Sequence, residues 1–181
     1  FVSRGLGDVY KRQDSGHLPY IHPSLNTYSR LEDHYPIYLD GPNTGQGTTV
    51  YRQLEGENGA AFPDFAGVAG DWLEAAEYVC LFPNVLLGVH RDHAFAIVLE
   101  PLAPDRTREH IALYYAAPQT DEPLRQKNAA MWRTVFEEDI GVVEGMQRGR
   151  QGGLFDGGRF APGMDGPVHV FHRWIADQLS A

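Results

Sequence analysis

The chain of 181 residues contains a single cysteine, and this scarcity excludes two kinds of structure. One thiol cannot close a disulfide within the chain, which is typical of a protein from a reducing compartment such as the cytoplasm. One thiol also cannot supply the ligands of an iron–sulfur cluster. Cys80 lies in the apolar run of residues 78–82. That position predicts a small buried side chain rather than a reactive thiol.

The sequence also lacks a surplus of basic residues and a long apolar run. Its formal net charge is −9, so no basic stripe remains to bind a nucleic-acid backbone. No stretch of about 18 apolar residues is present, which excludes a membrane-spanning helix. Hydrophobic residues make up 43% of the chain and aromatic residues 12%. These fractions and this length predict a folded domain with a sizeable core.

An initiating methionine is missing, and residues 1–13 are unlike a native N-terminus. Residues 3–13 resemble one reading frame of a common transposase sequencing adapter. We therefore interpret residues 1–13 as a sequencing-adapter scar and residues 14–181 as the native part, which is then a piece of a longer protein. The alternative is a genuine, flexible basic N-terminus.

Short β-branched and alternating stretches predict a series of strands in the middle of the chain. The first is residues 48–54, and two more lie within residues 77–89 on either side of a break at residues 82–84. Residues 93–102 are largely apolar, with apolar side chains on both sides of residues 94–99, and predict a strand buried on both faces. Residues 107–117 alternate and predict one buried face. Strands joined by such short connections favour an antiparallel meander.

Two helices are predicted after the strands. Apolar residues recur at helical spacing over residues 124–148 and residues 167–179. Pro123 suits the first turn of the longer helix, and Asp121 is a candidate cap. The glycine-rich residues 148–162 predict a loop between the two helices. Strands followed by helices are typical of an α+β fold.

One carboxylate lies on the apolar stripe of the longer helix. Asp139 falls three residues after Phe136 and four before Val143, whereas Glu137 and Glu138 fall on other faces and are predicted to be solvated. A carboxylate that faces a core must be paired, hydrogen-bonded or bound to a metal. A helix rotated to place Asp139 at the rim, or a structural salt bridge, are the alternatives.

Two histidines near the beginning of the native part form the spacing D-x2-H-x4-H with Asp14, His17 and His22. Residues five apart differ by about 140° on a straight helix, so a continuous helix would not bring the two imidazoles together. Pro19 and Pro23 interrupt the helix, so that His17 is expected to finish a turn and His22 to point back from an extended segment. Two histidines and one carboxylate are the ligand set of many non-heme iron oxygenases. Asp14 is a candidate hydrogen-bond acceptor for the second ring nitrogen of His17.

The motif Asp14-x2-His17-x4-His22-Pro23 resembles the iron-binding motif of Rieske-type non-heme iron oxygenases, the alpha subunits of aromatic ring-hydroxylating enzymes. Residues 135–147 resemble the segment of that family that holds its carboxylate ligand. Three further segments resemble the family in the same order, and the resemblance covers about residues 14–180. Those segments are Phe82-Pro83-Asn84, residues 101–107 and Phe171-His172-Arg173-Trp174.

The resemblance implies that His17, His22 and Asp139 bind a mononuclear Fe²⁺. It implies that Asp14 has a catalytic role as the bridge to a [2Fe-2S] Rieske cluster on a neighbouring subunit. The reaction implied is hydroxylation or oxidative demethylation of a small organic substrate, aromatic or a quaternary amine, with O₂, as in aromatic hydrocarbon catabolism. Electrons would come from a reductase or a ferredoxin.

The fold implied is a helix-grip of the START/SRPBCC type, an antiparallel sheet packed on a long C-terminal helix and here incomplete at its N-terminus. The full-length protein is expected to be a cytoplasmic homotrimer that binds neither nucleic acid nor membrane. The Rieske domain, with its cysteine and histidine ligands, is absent from this sequence. The fragment alone is therefore expected to hold iron poorly and to be inactive.

Two other functions stay open at this point. A non-enzymatic helix-grip protein could bind a ligand in an apolar cavity without metal. A zinc hydrolase could use the same two histidines and carboxylate, although the sequence has no H-E-x-x-H helix.

The remaining histidines have simpler interpretations. Residues 90–93, His-Arg-Asp-His, lie between two apolar runs and predict a polar hairpin turn rather than a second metal pair. His169 and His172 lie one turn apart on the last helix and predict solvated or capping roles. His34 and His110 have no evident partner in the sequence.

Overall fold

An antiparallel sheet of seven strands forms the centre of the computed structural model, which describes residues 2–3, 13–27, 29–118 and 120–181. The strand order is β1-β7-β6-β5-β4-β3-β2, so β2 to β7 follow one another as a meander and β1 pairs with the edge of β7. The strands are β1 (Val2–Ser3), β2 (His34–Tyr38), β3 (Thr44–Thr48), β4 (Ala76–Leu81), β5 (Val85–Val89), β6 (His93–Ala103) and β7 (Arg106–Tyr115).

In the described part of the chain, three α-helices accompany the sheet: α1 (Leu18–Ile21), α2 (Glu122–Gln151) and α3 (Gly166–Ser180). The strands precede the two long helices, which confirms the predicted α+β class and the antiparallel meander. None of the described helices is long and apolar enough to cross a membrane.

The predicted strands between residues 77 and 117 are confirmed. The break between β4 and β5 lies at Phe82-Pro83-Asn84, where the peptide bond before Pro83 is cis. The prediction that β6 is buried on both faces is wrong, because Val98 is 42% exposed whereas Ile97 is fully buried. One face of β6 therefore belongs to the core, and part of the other meets solvent.

The first predicted strand, residues 48–54, is wrong, and β2 was not predicted. The strand instead covers Thr44–Thr48 and pairs with β2 on one side and β4 on the other. Its sequence, TGQGT, has no apolar alternation that would mark a strand. The strand is buried because its two glycines leave room for neighbouring groups. The ring of Tyr35 covers Gly47, and the backbone of Tyr78 passes against Gly45. A side chain at either position would overlap these groups, so burial here depends on the absence of side chains.

Helix α2 packs its apolar stripe against the core face of β5 and β6. Trp132 and Phe136 contact the ring of Phe95 at centroid distances of 4.8 and 5.3 Å. The helix continues to Gln151, three residues beyond its predicted end at residue 148. Pro123 lies in its first turn as predicted. Asp121 occupies the N-cap position, but its side chain makes no capping hydrogen bond to the described residues, so the predicted cap is wrong.

Cys80 is buried in this core, which confirms its interpretation as a small apolar side chain. Burial raises the pKa of its thiol to about 12, so the thiolate is disfavoured.

The division of the chain at residue 13 stays a prediction. Of that first segment, Val2–Ser3 pairs with β7, and the buried amide of Gln13 accepts a hydrogen bond from Thr44 at 3.0 Å. Residues 1 and 4–12 lie outside the described residues.

Candidate metal centre

The two histidines of the N-terminal motif flank the single turn of α1. Pro19 lies in the first turn, where its missing N–H costs no hydrogen bond. His17 therefore precedes the turn, and the prediction that it finishes one is wrong. The backbone N–H of His22 donates to Leu18 at the end of the turn, which directs the second imidazole back toward the first. The two rings meet edge to face with centroids 5.2 Å apart.

Asp139 approaches this pair from the middle of α2. Its Oδ1 lies 3.3 Å from Nε2 of His22 and 3.9 Å from Nε2 of His17. One ligand atom from each of the three residues lies within 4.8 Å of the others. Asp139 and His22 are only 3% and 4% exposed, and His17 is partly buried. The structure thus brings together the three residues that the sequence nominated from two distant segments.

The hydrogen bonds of His22 fit a metal ligand. Its Nδ1 lies 2.8 Å from Oε2 of Glu138. A carboxylate accepts the hydrogen bond, so Nδ1 carries a proton, and the other ring nitrogen, Nε2, faces the carboxylate of Asp139. Burial lowers the pKa of His22, but hydrogen bonds to Asp139 and Glu138 outweigh burial and leave the pKa raised. A divalent cation between Nε2 and the carboxylate would replace the proton that this pairing favours.

The spacing of the three groups also suits one ion. Ligand atoms at about 2.0–2.2 Å from a metal lie roughly 3–4 Å from one another in tetrahedral or octahedral geometry. The two measured distances to Asp139, 3.3 and 3.9 Å, fall in that range. Imidazole and carboxylate donors suit iron and zinc equally. The donor set therefore fits a mononuclear metal and leaves its identity open.

The prediction that Glu138 is solvated is wrong. Its side chain is 31% exposed and contacts His22, whereas Glu137 pairs with Arg133 on the exposed face of α2. Helix periodicity could not identify this contact, because the partner of Glu138 comes from a segment more than 100 residues away.

Asp14 does not make the hydrogen bond that was predicted for it. Its Oδ1 lies 3.9 Å from Nδ1 of His17, too far for a hydrogen bond, and accepts instead from the backbone N–H of Gly16 at 2.6 Å. Nδ1 of His17 is buried without a hydrogen-bond partner among the described residues. Asp14 thus shapes the turn before His17, and its predicted role as an electron bridge stays a prediction.

A cavity of about 290 Å³ lies beside the three residues and is lined mainly by apolar side chains. Metal-site residues line one part of it. Its aromatic lining comes from the sheet, from the segment after β3 and from α2. Those aromatic residues are Tyr51, Tyr78, Phe95, Trp132 and Phe136. A small organic molecule can therefore lie against aromatic rings and the candidate metal ligands at once.

Residues 90–93 form the predicted polar turn between β5 and β6, and most of the turn is buried. His90, Asp92 and His93 are at most 1% exposed. The two imidazoles stack with centroids 4.3 Å apart and planes 4° from parallel. Their partners are aromatic side chains from other segments, which the local sequence does not reveal.

Two further histidines have partners that the sequence did not show. His34 lies between Ser29 and Gln46, with ring nitrogens 3.0 and 3.1 Å from their side-chain oxygens, and burial lowers its pKa. His110 contacts the exposed carboxylate of Glu100 at 2.9 Å. His169 and His172 are exposed on α3, as predicted.

Comparison with known proteins gives consistent matches. The family model described as "Ring hydroxylating alpha subunit (catalytic domain)" matches residues 11–181. Choline monooxygenase from the chloroplast of Amaranthus tricolor is 24% identical over 106 residues, which are 58% of this chain and 24% of that protein.

Solved structures of similar fold include the quaternary ammonium Rieske monooxygenase CntA with an inhibitor, at a TM-score of 0.72 and 18% identity. A second structure of a quaternary ammonium Rieske monooxygenase, described in connection with carnitine oxidation and inter-subunit electron transfer, gives a TM-score of 0.74 at 16% identity. Each match covers 98% of this chain and 48% of the solved chain. These likenesses confirm the predicted fold. The chain spans about half the length of those structures and about a quarter of the choline monooxygenase.

Proposed function

The chain belongs to the family of ring-hydroxylating alpha subunits and corresponds to their catalytic domain, and from that premise we propose that it is an oxygenase domain with a mononuclear iron held by His17, His22 and Asp139. The observation that carries the proposal is the convergence of two imidazole nitrogens and one buried carboxylate at the wall of an apolar cavity. Such a ligand set leaves open positions on iron for dioxygen and substrate. When bound there, iron would supply the activation of dioxygen.

The residues of the chain have separate roles in this proposal. Glu138 fixes the ring of His22 through its Nδ1, which leaves Nε2 as the nitrogen that would face the metal. The cavity holds the substrate beside the metal and excludes bulk water, because its lining is mainly apolar. The product is a hydroxylated or demethylated molecule.

A reductase or ferredoxin is proposed to supply electrons to a [2Fe-2S] Rieske cluster on a neighbouring subunit. From that cluster the electrons are proposed to reach the metal site through Asp14. The carboxylate of Asp14 is partly exposed and lies 3.9 Å from the imidazole of His17, which supports a position between the metal site and the surface. The same proposal includes three further points: the full-length protein forms a trimer, it is located in the cytoplasm, and the isolated 181-residue chain is inactive.

The substrate is proposed to be a small organic molecule, aromatic or a quaternary amine. The aromatic lining suits both, through ring stacking in one case and cation–π contact in the other. The names of the similar proteins favour the second class, since they act on choline or on quaternary ammonium compounds.

Iron content after anaerobic reconstitution tests the proposal. The parent, here the full-length protein, is expected to retain iron stoichiometrically, and its Asp139→Ala variant is expected to lose it. Glu137→Ala is the matched control, because it removes a neighbouring carboxylate from the exposed face of the same helix. Equal iron retention in Asp139→Ala and the parent would show that the ligand assignment is wrong.

Two outcomes distinguish the alternatives. A parent chain that retains no metal but binds apolar ligands would be a helix-grip binding protein. In the full-length protein with its redox partner, substrate turnover that needs no oxygen would indicate a zinc hydrolase.

A further inference from the structure

The buried turn at residues 90–93 carries more polar groups than a hairpin turn requires. His90, Asp92 and His93 are almost completely buried, and none of them takes part in the metal centre. Buried polar groups are costly unless they are paired, so their partners indicate what the turn does.

Trp132 fixes the protonation state of His93. Its indole N–H donates to Nε2 of His93 at 2.7 Å. An indole nitrogen can only donate, so Nε2 carries no proton. The single ring proton is therefore on Nδ1 and is donated to Oδ1 of Asp92 at 2.8 Å. His93 is neutral, and it cannot cancel the charge of the carboxylate.

The carboxylate of Asp92 is therefore buried without a cationic partner in His93. Its Oδ1 also accepts the hydroxyl proton of Tyr51 at 2.9 Å, so one carboxylate oxygen receives two hydrogen bonds. Its Oδ2 is buried without a hydrogen-bond partner among the described residues.

Arg91 does not neutralise this carboxylate fully. The guanidinium of Arg91 interacts with Asp92, but it binds both carboxylate oxygens of Asp64 at 2.7 and 2.6 Å. Two carboxylates thus share one guanidinium, and the group keeps a net negative charge. An unbalanced charge at full burial is costly unless a further cation approaches it.

Aromatic rings separate this charge from the cavity. Tyr51, Tyr78 and Trp132 surround His90 at centroid distances of 4.9, 5.5 and 5.2 Å, and all four residues line the cavity. His90 stacks in turn on His93. Donation of the Tyr51 proton to a carboxylate adds electron density to the phenol ring, and electron-rich ring faces attract cations.

This aromatic group lies away from the metal residues. Trp132 and Asp139 are seven residues apart on α2, which corresponds to two turns, or about 10 Å along the helix. One end of the cavity therefore has the metal ligands, and the other has π faces backed by a buried anion.

We propose that Asp92, acting through Tyr51, makes the end of the cavity around Tyr51, His90 and Trp132 a binding site for an organic ammonium group. The inference rests on the proposed function in taking this cavity as the substrate site. The substrate then carries a permanent positive charge at the end held by the rings, with its reacting carbon toward the metal. Asp92 is a positioning residue, because it acts on the substrate through the ring of Tyr51.

A pair of ligands that differ only in charge tests this inference. The probes are choline and its uncharged analogue in which carbon replaces nitrogen, titrated into the 181-residue chain by ligand-observed NMR. The parent is expected to bind choline about tenfold more tightly than the analogue, in line with a desolvated cation–π contact. In Asp92→Asn the two dissociation constants should become nearly equal while that of the analogue stays unchanged. If Asp92 had a purely structural role, Asp92→Asn would bind both ligands more weakly and to the same extent.

Asp105→Asn is the matched control, because it removes the same charge from the exposed turn between β6 and β7 and should keep the tenfold preference. Tyr51→Phe retains the ring but loses the hydrogen bond to Asp92, so it should reduce the preference even if Asp92→Asn does not fold. Equal binding of both probes by the parent, or an unchanged preference in the folded variants, would overturn the inference.

The result is independent of the iron measurement. A chain that prefers choline but retains no iron would keep this inference and reject the oxygenase. A chain that retains iron but binds both probes equally would reject this inference and leave the proposed iron site standing.

Discussion

The imidazole of His22 and the carboxylate of Glu138 form a hydrogen bond of 2.8 Å between α1 and α2. The bond fixes the ring of a candidate metal ligand and determines which of its nitrogens carries the proton. It also ties the N-terminal motif to the long helix, so that the spacing of the metal site does not depend on the metal alone.

Replacement of Glu138 by Gln should weaken metal binding without removing it. The amide can still contact Nδ1 of His22, but it no longer supplies a charged acceptor. Loss of such a supporting carboxylate lowers metal affinity by about 10- to 100-fold. The affinity is measured by anaerobic titration of Fe²⁺ against a competing chelator.

Glu137→Gln is the control for that measurement. Glu137 is exposed and pairs with Arg133 one helical turn away, so its variant should bind Fe²⁺ as tightly as the parent. An equal loss of affinity in both variants would mean that helix charge, rather than the contact with His22, determines the effect.

The sequence singles out the three candidate metal ligands because each carries a local signal. Asp139 interrupts an apolar stripe at helical spacing, and two prolines restrict the segment that contains His17 and His22. Glu138 carries no such signal, since its burial depends on where α1 crosses α2. Residue contacts between segments that are far apart in the chain follow from tertiary packing and not from local periodicity.

The same limit explains the missed position of β3 and the unforeseen burial of the turn at residues 90–93. β3 is buried through glycines that accept the ring of Tyr35 and the backbone of Tyr78, so the usual alternation of apolar residues is missing. The turn at residues 90–93 is polar in sequence but covered by Tyr51, Tyr78 and Trp132, which come from three other segments. Neither arrangement can be identified before the fold is known.

Protonation of His90 should destabilise the fold as the pH falls. Burial lowers the pKa of His90 well below its usual 6.5. Below about pH 6.5, His90 therefore binds a proton in the unfolded chain but not in the folded chain. Stability is complete above that pH and is lost as the pH falls toward the folded pKa, by at most about 1.4 kcal/mol per pH unit for this one group.

Urea denaturation at several pH values between 7.5 and 5 measures this contribution. His90→Gln should show a shallower loss of unfolding free energy than the parent, because one titrating group is gone. His169→Gln, on the exposed face of α3, should keep the slope of the parent. A parent-like slope in His90→Gln would show that other groups dominate the acid response.

Two glycines should respond to alanine in opposite directions. A Cβ at Gly88 on β5 would overlap the ring of Phe95, which Trp132 and Phe136 hold in place from α2. Gly88→Ala is therefore expected to lose about 1–3 kcal/mol of unfolding free energy, the usual cost of overpacking a core. A Cβ at Gly141 would meet no heavy atom within 4 Å among the described residues outside its own helical turn. Since alanine has a higher helix propensity than glycine, Gly141→Ala should increase the unfolding free energy by up to about 1 kcal/mol. Urea denaturation of both variants beside the parent measures the difference. If Gly88→Ala matched the stability of the parent, the packing of Phe95 between β5 and α2 would be looser than the structure shows, and the aromatic wall of the cavity would be correspondingly mobile.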